Sequence, residues 1–204
     1  MVSMLCLWTT DAEGKPRLWV ARLDRSSSPV QIPNVEGGSP LFGPDGDIFF
    51  RHLEGTSTFV YLVHPDGTGL QKVRAEPVLV LYSASRDGRW IAGWAPLPGN
   101  GPPLTQAFPL DGGPPIQIGP FPFLTWSLDG RTMLIAGFTG AYLIPLAPGH
   151  VFPRIPAGGF HSEEEITRLP RAHRINVAVP GPSAGVYAFY RSTIQRNLYR
   201  IPIQ

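Results

Sequence analysis

The sequence predicts an all-β protein: a β-propeller of four-stranded antiparallel blades, incomplete, with three whole blades and two partial ones. Three observations lead there. Asp-Gly recurs at Asp45-Gly46, Asp87-Gly88 and Asp129-Gly130, 42 residues apart each time. A second series, Asp24, Asp66-Gly67 and Asp111-Gly112, is interleaved with the first at spacings of 42 and 45. Between the turns lie short runs rich in aromatic and β-branched residues, while helical i, i+3, i+4 patterns are nearly absent. Asp-Gly offers a φ > 0 position and a side-chain acceptor that closes a tight turn. Each period of 42 holds about four strands, which is the signature of a propeller blade.

Taken in chain order, residues 4–33 form a partial blade without its inner strand. "MLCLWTTDAEG", "PRLWVARLD" and "SPVQIP" match the second, third and fourth strands. Whole blades follow at 38–74, 76–118 and 121–156, carrying runs such as Ile48-Phe49-Phe50, Phe59 to Val63 and Met133-Leu134-Ile135. One helix is expected, over 162–169 in "HSEEEITRLP", inserted between the fourth and fifth blades. Ser162 would be its N-cap and Glu165 its N3 partner in a capping box, an acidic first turn suits the helix dipole, and Pro170 ends it. The last piece, 174–204, matches the first three strands of a blade and then stops. The first piece lacks an inner strand and the last an outer one, so neither deficit fills the other. The expectation is either an open ring with exposed edges or, preferably, a chain that is part of a longer one, forming a single partial propeller over 1–204.

Composition agrees with many short elements. The 204 residues include 24 prolines and 23 glycines, spread rather than clustered, with charged residues at 16%. Five Trp, six Tyr and eleven Phe argue for a packed interior rather than disorder. A net charge of +2 without long basic runs points to neither nucleic acid nor an anionic membrane as partner. No apolar run approaches the roughly 20 residues that span a bilayer, and the N-terminus makes a poor signal peptide. Cys6 is the sole cysteine, which permits no internal disulfide and leaves the redox compartment open.

Candidate chemistry is sparse. Gly181, Ser183 and Gly185 spell G-x-S-x-G, a nucleophile elbow, but "VYAFYRST" after it is a β run where an elbow needs a helix. Ser183 is therefore expected to be a turn residue at the register position of Asp-Gly in earlier blades. His52, His64, His150, His161 and His173 lack zinc-site spacing. His161 beside Glu163, Glu164 and Glu165 reads as a solvated helix start before it reads as a metal site. The Asp-Gly turns lack the alternating acids and closing Glu of a calcium loop, and "GGPP" and "PGNGPP" precede no helix that could cradle phosphate. Trp8, Trp19, Trp90 and Trp126 are expected in the core between blades, and Trp94 in an exposed loop where it could meet a partner. Arg196, Asn197 and Arg200 are expected to pin the last hairpin. No catalytic, cofactor-binding or metal-binding residue is assigned, and no cofactor is implied.

The turns "GPDG", "SRDG" and "SLDG" resemble the TolB-like (WD40-like) family of propeller repeats, with Asp-Gly kept and the middle of the motif degenerate. From 120 onward, "TWSLDGR", "AYLIPLAPG", "IPAGGF" before "SEEEI", and "VYAFYRSTIQRNLYRIP" are similar to the C-terminal propellers of bacterial, acidobacterial-type serine/threonine protein kinases. That resemblance implies a sensor or interaction module, extracytoplasmic if tethered to a membrane-anchored kinase and cytoplasmic if the chain stands alone. It supplies no catalytic residues, because no Gly-rich loop, H-R-D or D-F-G is present. The expected function is non-catalytic recognition of a protein or small ligand at a propeller face. The alternatives are the gating propeller of a prolyl-oligopeptidase-type peptidase and a free-standing TolB-like periplasmic scaffold.

Overall fold

The computed structural model describes residues 4–99, 101–137, 139–175, 178–180 and 186–189. Its organisation follows from the turns. In the first Asp-Gly series the glycine amide closes the turn onto the carbonyl three residues back: Gly46 to Gly43 at 3.2 Å, Gly88 to Ser85 at 3.1 Å and Gly130 to Ser127 at 2.9 Å. The glycines hold φ of 89°, 68° and 70°. Asp87 and Asp129 lock their turns by accepting from the Ser85 and Ser127 hydroxyls and from the amides of Arg89 and Arg131. In the second series Asp24 and Asp66 each accept from the amide and hydroxyl two residues on, at Ser26 and Thr68. Arg25 takes the left-handed position at φ 57° where Gly67 and Gly112 stand later.

Antiparallel sheets form between these turns in sequence order. β1 (Met4–Thr10), β2 (Pro16–Arg22) and β3 (Val30–Glu36) make a three-stranded sheet. Three four-stranded sheets follow. The second sheet is β4 (Gly38–Phe42), β5 (Ile48–Glu54), β6 (Ser57–Val63) and β7 (Gln71–Lys72). The third is β8 (Val80–Ala84), β9 (Trp90–Leu97), β10 (Gly101–Pro109) and β11 (Ile116–Gly119). The fourth is β12 (Phe123–Trp126), β13 (Thr132–Ala136), β14 (Ala141–Pro145) and β15 (His173–Ile175). A two-stranded pair, β16 (Ala178–Pro180) and β17 (Tyr187–Phe189), ends the described chain. The fold is thus an all-β, incomplete propeller.

Alternation along a strand sends successive side chains to opposite faces, and in the second sheet each face meets another sheet. Ile48 and Phe50 pack with Leu18, Val20 and Ile32 of the first sheet, while Phe49 between them packs with Leu81, Ile91 and Phe108 of the third. Met133 and Ile135 pack with Ala92, Ala107 and Ile118 of the third sheet, while Leu134, on the other face, is buried beside Ala141 and Leu143 of its own sheet. Two-sided burial explains why these strands read as unbroken apolar runs.

The helix departs from expectation in place and in cap. α1 spans only Glu163–Thr167 and lies inside the fourth sheet's chain, between β14 and β15, not between blades. His173, Arg174 and Ile175 pair with Leu143, Tyr142 and Ala141, so the fourth sheet closes with a strand beyond residue 156, and Arg174 and Ile175 do not open the next one. The excursion between those strands packs on the third and fourth sheets: Phe160 and Ile166 are fully buried, and the Phe160 amide bonds to the Ile118 carbonyl at 2.8 Å. Ser162 makes no side-chain cap bond, and Glu165 accepts from the amide of His161, one residue earlier than a capping box requires.

The tryptophans also divide differently. Trp126 is buried with its indole N–H on the Val151 carbonyl at 2.8 Å, and Trp90 meets Phe152 edge-on at 4.9 Å. Trp8 is 49% exposed, because it sits on edge strand β1 of the three-stranded sheet. Trp94 lies inside β9, paired with Val80 and Thr105, and is half-buried rather than in a loop.

Candidate recognition site

Strand direction alternates, so both Asp-Gly series fall on one face of the sheets, and the second-to-third and sheet-to-sheet connections fall on the other. On that second face the first and second sheets enclose a cleft. The chain passes from β3 to β4 through Gly37 alone, where a Cβ would collide with the Phe50 ring and the Arg51 carbonyl. Gly38 then leaves room for the Trp8 indole, whose ring would lie 3.7 Å from a Cβ built there.

The resulting cavity, about 450 Å³, is lined by Trp8, Ser39, Arg51, His52, Leu53 and Thr58. A second cavity of about 410 Å³ shares His52 and Glu36 with it and extends to Arg17, Phe50, Tyr61 and Leu70. Position 51 in β5 pairs with Gly38 and Val60. Arg51 makes no ion pair among the described residues, and its Nε is shut off from solvent without a hydrogen-bond partner. Burial draws its guanidinium below the ordinary value. A donor hidden without an acceptor is costly, and Arg51 carries that cost while its side chain lines the cleft.

Neighbouring groups are already satisfied. The His52 Nδ1–H donates to the Glu36 carbonyl at 2.7 Å, and its ring meets Tyr61 edge-on at 5.2 Å. Since a carbonyl only accepts, this bond leaves Nε2 as the free ring nitrogen. Arg17 binds Asp11 at 2.8 Å and Glu36 at 3.3 Å. Glu54 accepts from Tyr61 at 2.5 Å and Lys72 at 2.9 Å, which together hold its carboxyl below the usual range. Leu53, 61% exposed, adds an apolar rim beside Trp8. The arrangement can grip an extended segment by an acceptor and an apolar side chain.

The other histidines stand apart. His64 binds Asp47 at 2.6 Å, joining the two turns of the second sheet. His161 lies 3.8 Å from Glu165, while Glu163 is engaged by Thr139 and Tyr142, so the acidic run anchors the helix to the β13–β14 turn. Among the described residues no three His, Cys, Asp or Glu side chains group closely enough to hold a metal ion. Burial pushes the Cys6 thiol up to about 11, away from a reactive thiolate. Ser183, Arg196, Asn197 and Arg200 lie outside the described residues. Sequence reasoning missed Arg51 and its cleft: an Arg in "FFRHLE" carries no signal until β1 and β4 are brought alongside it. Among the described residues no helix is long and apolar enough to cross a membrane.

No family model and no curated protein matches this sequence. Solved structures do share the fold. TolB from Acinetobacter baumannii aligns over 72% of this chain and 40% of its own, at 16% identity and a TM-score of 0.57. A TolB-type protein from Agrobacterium tumefaciens aligns over 87% of this chain and 66% of its own, at 14% identity and a TM-score of 0.55. This chain therefore spans less than two thirds of either relative. At such identities the likeness shows the fold alone, a TolB-like propeller.

Proposed function

We propose that a TolB-like propeller with this cleft is a non-catalytic recognition module, and that the cleft takes an extended segment of a partner protein. The sheets belong to one partial propeller running through 1–204. The supporting observation is Arg51, which makes no ion pair among the described residues and lines one cavity with exposed Trp8 and Leu53. A bound segment would supply a backbone carbonyl or carboxylate to Arg51 and an apolar side chain to Trp8 and Leu53. Within the whole protein the module would serve as the sensor part of a bacterial serine/threonine kinase, a reading supported by the blocks from residue 120 onward. It is extracytoplasmic if that kinase is anchored in a membrane.

Selection of a random peptide library on the immobilised chain tests the cleft. Enrichment of a motif with an acidic and an aromatic or aliphatic position is expected. Arg51→Ala or Trp8→Ala should weaken the selected peptide about tenfold or more, the scale of an anchoring contact. Retention of full affinity by both variants would remove the cleft from the account.

A further inference from the structure

The opposite face carries a second site, at the corner of the fourth sheet. Positions 47, 89 and 131 are equivalent in the 42-residue register, each just after the first turn of its sheet. In the second sheet Asp47 is matched by His64 across the corner at 2.6 Å. In the third, Arg89 is matched by Asp111 of the second turn at 3.1 Å. In the fourth, the second turn reads Pro148-Gly149-His150, where the earlier sheets have Asp66-Gly67 and Asp111-Gly112. Its glycine keeps the turn at φ 77°, but the acid is gone.

What remains is a cationic cleft of about 830 Å³, lined by Arg131, Arg171, His150 and His173 beside the buried Leu143 and the half-buried Pro145 and Leu146. Among the described residues, which include all fifteen acidic side chains, no ion pair joins either arginine to a carboxylate. Asp129 lines the cleft too, with its Oδ1 held by the Ser127 hydroxyl and the Arg131 amide. Arg171 stands at φ 61°, a left-handed backbone that a non-glycine residue adopts only when its surroundings impose it. The His173 Nδ1–H donates to the Arg171 carbonyl at 3.3 Å, which leaves Nε2 as its free ring nitrogen.

We infer that this cleft binds a small organic phosphate, going beyond the peptide site on the other face. Two guanidinium forks without partners suit a dianion with several acceptor oxygens better than a single carboxylate. The apolar side accepts an uncharged remainder, and the volume lies within the roughly 300–1,000 Å³ of small-molecule sites.

Isothermal titration with phenyl phosphate is the test, using inorganic phosphate and benzyl alcohol as comparison ligands. Saturable one-to-one binding is expected, tighter than to inorganic phosphate and absent with benzyl alcohol. Arg131→Gln and Arg171→Gly should each weaken it about tenfold or more, as loss of a charge-assisted hydrogen bond does. Glycine at 171 also keeps the left-handed backbone accessible. Arg89→Gln, at the paired corner of the third sheet, should leave binding unchanged. The inference is overturned by absence of saturable binding, by equal binding of benzyl alcohol or inorganic phosphate, or by undiminished affinity in Arg131→Gln. Should Arg171→Gly fail to fold, the exposed Arg131 position decides alone.

Discussion

Asp24 shows how much of this fold rests on single turn carboxylates. Arg22 and the amide and hydroxyl of Ser26 hold its carboxyl at about 2, below the ordinary 3.8. A folded-state value lower than the unfolded one stabilises the protein above pH 3.8, and that contribution is lost as pH falls through 2. In a carboxyl-carbon NMR titration Asp24 should have its midpoint near 2, and Arg22→Ala should move it toward 3.8. An unmoved midpoint would show that Arg22 is not the principal cause. At the same scale Asp87 and Asp129 borrow a serine hydroxyl that Asp45 lacks, because Gly43 stands where Ser85 and Ser127 stand later.

Among the elements, α1 is too short to persist by its own hydrogen bonds, since isolated helices below about 12–15 residues are marginal in water. Two contacts hold it: Ile166, fully buried, and Glu163, which accepts from Thr139 and Tyr142. Burial and the nearby carboxylate raise the Tyr142 phenol. Glu163→Ala should remove the anchor, freeing the Tyr142 hydroxyl but leaving the apolar packing of β13 in place. Faster amide exchange is expected across 163–172 with β13 unchanged, and unaltered exchange over 163–172, or equal acceleration in both regions, would count against the anchor. Neighbouring corners are tied sheet to sheet in the same local way. The Arg86 guanidinium donates to the Leu128 carbonyl at 2.6 Å, and its stem lies about 3.1 Å from where a Gly130 Cβ would stand.

For the whole molecule the three larger apolar clusters correspond to interfaces between consecutive sheets, and the second and third sheets each contribute to two of them. Stability in such an array is close to a sum of nearest-neighbour terms. The interface of the third and fourth sheets is the most extensive and is reinforced by Trp126, Phe160 and Ile166, whereas β1 exposes Met4, Leu5 and Trp8. Native-state hydrogen exchange should therefore find β9 and β13 the slowest and β1 and β2 the fastest of the described sheets. Equal protection in both pairs would mean that the array unfolds as one cooperative unit.

The 42-residue spacing of Asp-Gly, the Asp24–Asp66 pair and the runs at 48–50 and 133–135 determined the propeller by themselves. Turn chemistry is local, and two-sided burial leaves unbroken apolar runs in the chain. The tertiary structure decided everything that depends on which sheet lies beside a residue. It placed α1 between two strands of the fourth sheet, because His173–Ile175 finds its partner in β14 across the 27 intervening residues 146–172, which no local pattern bridges. It exposed Trp8, since the same indole is core or surface according to whether a strand lies over it. It also left Arg51, Arg131 and Arg171 without an ion pair among the described residues, a property of neighbours in space that spacing along the chain does not encode.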